Sequence, residues 1–215
     1  MADVSGAERH VDLIDPGTGK IEVGQVACVP FTAGEVLLGD GDEEFVEVDT
    51  EDRVPFVNAM APRGSRILDA GCGTGRAGGL LIDEGHTVFG VDLDEFLISV
   101  AEEDFPSGEW HTGDLADFDF AGAGIDEIDV AFCAGNVLSF LDPASRRQTL
   151  GNIKSTLKHG GRFVAGFGAG RGYDFDDFIE DVKATGMFVD QKFSTWELRP
   201  FEADSDFIVL IAERL

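Results

Sequence analysis

Ile67-Leu68-Asp69-Ala70-Gly71-Cys72-Gly73-Thr74-Gly75-Arg76 decides how the rest of this chain reads. An apolar run, Arg66–Ala70, stops at three alternating glycines, and Arg76–Glu84 then follows helical spacing. The pattern predicts a strand, a tight glycine turn and a helix in direct succession. Glycine permits positive φ and lets a ligand approach the main chain closely. The unpaired N–H groups at the start of the helix suit an anionic group. Nineteen residues beyond Gly73, Asp92 closes a second apolar run, Thr87–Val91. A carboxylate at the end of that strand can accept hydrogen bonds from two ribose hydroxyls, which is how folds of this kind hold adenosine cofactors.

Outward from this centre the chain alternates strands and helices. Helices are predicted over Asp94–Glu103, Pro143–Lys158 and Asp174–Ala184, and strands over Glu109–His111, Ile128–Cys133 and Arg162–Phe167. Phe188–Leu198 and Asp206–Ala212 read as closing strands. Such alternation implies βαβ units and a mostly parallel sheet covered on both faces. Thr50 is placed to cap a helix carrying Phe56, Val57 and Met60 on one side, stopped by Pro62 and Gly64. Residues 1–50 have a different texture, with twelve acidic and two basic residues and a turn signal at Pro16-Gly17-Thr18-Gly19. They read as an acidic N-terminal extension with a short hairpin, before a main domain over 51–215.

Composition narrows the function. Across 215 residues, 42 acidic against 16 basic side chains give a formal net charge of −26. That balance disfavours partners bound through a basic surface, nucleic acid and anionic lipid alike. No apolar run approaches the length of a membrane span. Cys28, Cys72 and Cys133 form no disulfide framework, which points to a reducing, cytoplasmic compartment. His10, His86, His111 and His159 lack ligand spacing, so no metal is expected.

Two cofactor classes compete for the glycine turn. Gly73-Thr74-Gly75-Arg76-Ala77-Gly78 matches the dinucleotide pattern GxGxxG. The register argues against it: counted from the strand end, the frame Gly71-x-Gly73-x-x-Arg76 places Arg where a small residue is wanted. Asp69 would also repel a pyrophosphate, whereas it would attract the ammonium of an amino-acid moiety.

Leu68-Asp69-Ala70-Gly71-Cys72-Gly73-Thr74-Gly75 resembles the first motif of class I S-adenosylmethionine-dependent methyltransferases. Val91-Asp92-Leu93-Asp94, Gly113-Asp114-Leu115, Asp129–Asn136 and Lys158-His159-Gly160-Gly161-Arg162-Phe163 resemble the family's later motifs, in order, over about residues 50–215. The resemblance implies a Rossmann-like, mostly parallel seven-stranded sheet with helices on both faces and an antiparallel last strand. It implies S-adenosyl-L-methionine as cofactor and methyl transfer to an acceptor that the sequence does not name. Asp69, Gly71, Gly73 and Gly75 would cradle the methionine part, Asp92 the ribose, and Leu93 would pack on the adenine. Asp114 and the Leu115 N–H would meet the adenine edge, and Asn136 would lie near the sulfonium.

Beyond the motifs, Gly166–Tyr173 carries four glycines in a loop expected at the carboxyl ends of the strands. Arg171 there suits an anionic acceptor, and Tyr173 and Trp196 would wall the acceptor pocket. A small-molecule acceptor is expected, with no residue singled out as a general base and the oligomeric state open. Two other readings stay open. One is a module that binds S-adenosylmethionine without catalysis. The other is a nicotinamide-dependent oxidoreductase, which would need the disfavoured glycine register.

Overall fold

A computed structural model describes residues 50–215. The expected hairpin and the purpose of the acidic segment up to residue 49 lie outside the described residues. Helix α1 (Thr50–Met60) leads into β1 (Arg66–Ala70), α2 (Arg76–Asp83), β2 (Thr87–Asp92), α3 (Glu95–Asp104) and β3 (Glu109–Thr112). After a loop follow β4 (Ile128–Cys133), a 3-10 turn (Val137–Phe140), α4 (Arg146–Thr156) and β5 (Leu157–Gly168). The chain closes with α5 (Phe175–Ala184), β6 (Met187–Phe193) and β7 (Phe207–Arg214).

The seven strands form one sheet in the order β3-β2-β1-β4-β5-β7-β6. Pairings from β3 through β5 are parallel, and β7 runs antiparallel to both β5 and β6. The expected fold class is therefore the observed one. Parallel strands are near-continuously apolar because both faces are covered. On one face α4 and α5 bury Leu150, Ile153, Phe178 and Val182 against Leu68, Ala131 and Phe163. On the other, α1, α2 and α3 bury Val57, Leu81 and Ile98 against Ile67, Val130 and Val164. The order reverses direction between β1 and β4, so the crevice of the sheet opens at their carboxyl ends, where open α/β sheets take ligands.

Two elements depart from expectation. The helix predicted over Pro143–Lys158 is shorter, because Leu157 already pairs with Ile128 and β5 starts there. Gly160, at φ 75°, then lets the strand shift register before Arg162 pairs with Val130. The strand expected over Phe188–Leu198 stops at Phe193, and Leu198, at φ 67°, lies in a turn.

Trp110, on β3, explains much of the packing around the glycine turn. A Cβ on Gly78 would approach its ring to 2.6 Å, and one on Gly90 to 2.2 Å. The indole fills the space these glycines leave, and its N–H donates to the Phe105 carbonyl at 2.8 Å. It holds α2 tightly on the sheet, which fixes the position of the turn above.

Candidate functional site

The three turn glycines are required for three different reasons. Gly71 (φ 80°) lies against the 3-10 turn, where a Cβ would come within 2.5 Å of Val137 Cγ2. Gly75 (φ 74°) faces the interior, where a Cβ would sit 2.9 Å from Ala101 and 3.0 Å from Trp110. It therefore permits close helix packing beneath the turn, between Thr74 and Arg76, which line the cleft. Gly73 (φ 54°) has nothing within 4 Å of its Cβ position and opens onto the cleft.

That cleft, about 210 Å3, is lined by Asp69, Gly71, Gly73 and Arg76 on one side and Arg53, Ala134 and Val137 on the other. Two larger hollows, about 390 and 580 Å3, lie around Lys154 and around His86. Both sit at the opposite edge, where β5, β1 and β2 begin, and Lys154 and Arg214 there hydrogen-bond backbone carbonyls at the ends of α4 and α5. The motif residues Asp69, Gly71 and Gly73 line the smaller cleft.

Asp69 is its strongly perturbed carboxylate. Its side chain is buried, and Oδ2 has no hydrogen-bond partner among the described residues. Burial pushes its pKa up to about 7; Arg53 opposes the rise, Asp92 adds to it, and the Gly78 N–H opposes it. An unpartnered buried carboxylate is costly unless something supplies a charge or a donor. Arg53, on α1, reaches across to the same place, with Nη1 3.4 Å from the Cβ position of Gly135. A buried acid and an arginine on opposite walls match a bound α-amino acid, ammonium to Asp69 and carboxylate toward Arg53. Arg53 escaped sequence reading because α1 has no motif and meets the cleft only through the tertiary fold.

Asp92 stands at the end of β2, as expected. Its Oδ2 accepts from the Gly73 N–H at 2.8 Å and its Oδ1 from the Asp94 N–H at 3.0 Å. The carboxylate thus holds the glycine turn in shape, and its remaining lone pairs can serve ribose hydroxyls. Leu93 beside it is 73% exposed, an apolar side chain available to an adenine ring. Gly113 donates to the Asp92 carbonyl at 2.8 Å, which brings the Asp114 loop next to Asp92. Asp114 is exposed and its carboxylate accepts from the Ala116 N–H at 2.9 Å, closing a turn. The Leu115 side chain is buried in the core, and its carbonyl accepts from Asn152.

Asn136 lies at the carboxyl end of β4, with φ 65°. Its Oδ1 accepts from the Gly168 N–H at 3.0 Å, bridging the ends of β4 and β5. Arg171 stands nearby, its Nε 3.7 Å from the Cβ position of Gly168. Trp196 lies over Gly166 on the same face of β5 and meets Phe56 edge-on with centroids 5.5 Å apart.

Tyr173 is different. It is 2% exposed, stacks on Phe167, carries Arg146 over its ring at 3.9 Å and donates to Asp181 at 2.9 Å. Burial and the Asp181 contact raise its pKa far above the usual tyrosine value. The expected role as a wall of the acceptor pocket is corrected: Tyr173 is a core residue on the α4–α5 face. Cys72 and Cys133 are buried free thiols, and burial pushes both pKa values far up, so neither serves as a thiolate.

Fold and cleft together define an α/β protein built to bind an adenosine cofactor that carries an amino-acid moiety. A family model described as a methyltransferase domain matches residues 67–161. The solved structure of a TehB-like SAM-dependent methyltransferase from Corynebacterium glutamicum is 43% identical, with a TM-score of 0.74, covering 76% of this chain and 88% of that one. The chain belongs to the S-adenosylmethionine-dependent methyltransferase family. Among curated relatives, an 18S rRNA (guanine(1575)-N(7))-methyltransferase of Saccharomyces cerevisiae is 30% identical over 57% of this chain and 47% of its own length. A ubiquinone biosynthesis O-methyltransferase of Thiobacillus denitrificans is 35% identical over 43% of this chain and 41% of its own. The chain thus spans less than half the length of these curated relatives.

The residues fit the family's cofactor. Asp69 Oδ2 is an orphaned acceptor where an ammonium is wanted, and Gly73 leaves open the space a Cβ would fill.

Proposed function

We propose that this chain transfers the methyl group of S-adenosylmethionine to a small-molecule acceptor by in-line displacement. The buried Asp69 carboxylate, with Oδ2 unpartnered among the described residues and Arg53 lining the same cleft, carries this reading. Asp69 and Arg53 would clamp the methionine zwitterion, Gly73 would give its backbone a close approach, and Asp92 would take the ribose. Leu93 would pack on the adenine, with Asp114 and the Leu115 N–H at its edge.

Bound S-adenosylmethionine supplies a methyl group already activated by its sulfonium. The residues around it have to position the acceptor in line and exclude water, because orientation alone can be worth about 7–11 kcal/mol. Asn136, fixed by its bond to Gly168, would set the distance between the β4 end and the incoming acceptor. No carboxylate or histidine is assigned as a general base.

The curated relatives are named for rRNA guanine in one case and for ubiquinone biosynthesis in another. A net charge of −26 supports a small molecule over RNA, since phosphate neutralisation needs a basic surface. No helix among the described residues is long and apolar enough to cross a membrane. The free thiols Cys72 and Cys133 support work in a reducing, cytoplasmic setting.

Calorimetric titration with S-adenosylhomocysteine tests the reading. The wild type is expected to bind one equivalent in the micromolar range, about −8 kcal/mol. Asp92→Ala should lose binding while keeping its fold by circular dichroism. A folded wild type that ignores S-adenosylhomocysteine would sink the proposal.

A further inference from the structure

The hollow of about 580 Å3 at the amino end of β2 is built from groups that the cofactor cleft does not use. It lies where α1 ends and where the turn Glu84-Gly85-His86 carries the chain from α2 into β2. Asn58 and Ala61 line it from the α1 side, and Asp83, Glu84 and His86 from the α2 side. Arg63 joins them from the loop before β1. Gly64 (φ 71°) and Gly85 (φ 91°) have nothing within 4 Å of their Cβ positions, so the wall stays open at both. No large apolar side chain lines the hollow, which therefore suits a small polar ligand.

Two features set it apart from an ordinary surface depression. The first is His86. Asn58 Nδ2 donates to Glu84 Oε2 at 3.1 Å. An ionised carboxylate only accepts, so this bond turns Asn58 Oδ1 toward His86, where Nε2 donates to it at 2.9 Å. The neutral ring is thereby fixed as the Nε2–H tautomer, and Nδ1 keeps a lone pair. His86 is 7% exposed, and Nδ1 has no hydrogen-bond partner among the described residues. Buried polar atoms ordinarily have one. The second feature is charge. A helix C-terminus carries partial negative charge and favours a cation. Neither α1 nor α2 has a basic residue in its last turn. Helix α2 instead ends on Asp83 with Glu84 as its cap, two acids where the dipole favours a base. The one cation on the wall, Arg63, is exposed and enters no ion pair among the described residues.

We infer that this hollow is a binding site for a small primary ammonium compound, whose N–H groups donate to His86 Nδ1 and to the carboxylates of Asp83 and Glu84. An ammonium brings three donors and one positive charge to one lone pair and two acids. An anion would meet both acids and the negative ends of two helices. A metal ion is not favoured, because no group of three or more His, Cys, Asp or Glu side chains among the described residues is arranged to hold one. The site is separate from the cofactor cleft. Helix α2 lines the cleft with Arg76 at its start and the hollow with Asp83 at its end, about 10 Å further along the axis. The inference therefore does not depend on the methyltransferase reading.

The test uses the full chain and follows the imidazole nitrogens by proton–nitrogen correlation NMR at pH 8, where a primary amine is still protonated. The probes are butylamine, 1-butanol, tetramethylammonium chloride and zinc chloride. Butylamine should move the His86 Nδ1 resonance and leave His111 and His159 in place. Butanol lacks the charge and tetramethylammonium lacks the N–H, so both should do much less. Asp83→Asn changes an exposed side chain that enters no ion pair among the described residues, so the fold should be kept. It should weaken butylamine binding about two- to fivefold, the range for an exposed ion pair. Arg63→Gln removes the competing cation and should strengthen binding by a similar factor. No movement of His86 with butylamine, equal responses to butanol or tetramethylammonium, or unchanged affinity in Asp83→Asn would overturn the inference. So would weaker binding in Arg63→Gln, which would mark the hollow as an anion site, or a response to zinc chloride alone, which would mark it as a metal site.

Discussion

Lowering the pH from 8 to 6 should weaken cofactor binding, and Asp69 should be the cause. Its carboxyl is held up to about 7 mainly by burial, with Arg53 pulling down, Asp92 pushing up and the Gly78 N–H pulling down. An ammonium docked on Oδ2 stabilises the ionised form, so the carboxyl must be deprotonated for binding. At pH 8 about nine-tenths of the free protein is ready; at pH 6 about one-tenth is. The apparent affinity for S-adenosylhomocysteine should fall about tenfold over that interval, or about 1.4 kcal/mol. Calorimetry at pH 6 in two buffers of different ionisation enthalpy should register release of about one proton per cofactor. Asp69→Asn should bind weakly at both pH values with no proton release. A wild-type affinity constant within twofold between pH 6 and pH 8, or an Asn variant that keeps the slope, would refute the assignment of Asp69.

The same group bears on stability without cofactor. Its folded pKa lies above the unfolded value of 3.8, so its effect is absent below that value and becomes destabilising as pH rises toward 7. Asp69→Asn should therefore raise the Tm of the cofactor-free protein at pH 8, by an amount on the order of 2–4 kcal/mol in unfolding free energy, and shift it little at pH 4; an unchanged Tm at pH 8 would contradict this. Gly71→Ala and Gly73→Ala should behave differently. Gly71→Ala drives a Cβ into Val137 and should lower the Tm in thermal melts. Gly73→Ala meets no atom, should cost only about 1–2 kcal/mol for its left-handed backbone, and should lose cofactor binding because the new methyl group points into the cleft. Tyr173→Phe removes the hydroxyl that donates to Asp181 and should cost about 1–3 kcal/mol in urea melts, with S-adenosylhomocysteine affinity unchanged.

What was legible in the sequence is what local chemistry decides. The strand, the glycine turn and the helix after it are contiguous, and Asp92 follows at the spacing of one βαβ step. The sheet follows from the alternation, because parallel strands need crossover helices. Residues whose role depends on a distant partner were not legible. Arg53 acts on Asp69 only because α1 packs across the sheet. Tyr173, the one tyrosine in a glycine-rich loop, looked like a pocket wall, yet Arg146 and Asp181 from two helices draw it into the core. Gly75 looked like its neighbours in the motif, but Trp110, thirty-five residues on, decides that it faces inward. The early start of β5 at Leu157 was hidden because Gly160 and Gly161 read as a turn, while the strand absorbs them as a register shift.

A crystal structure of the S-adenosylhomocysteine complex at pH 8 would decide whether this cleft is the cofactor seat. The ammonium should lie within hydrogen-bond distance of Asp69 Oδ2, the ribose hydroxyls on Asp92, and the main chain of Gly73 against the methionine part. Cofactor density elsewhere, or in the cleft with Asp69 still unpartnered, would contradict the assignment of these residues.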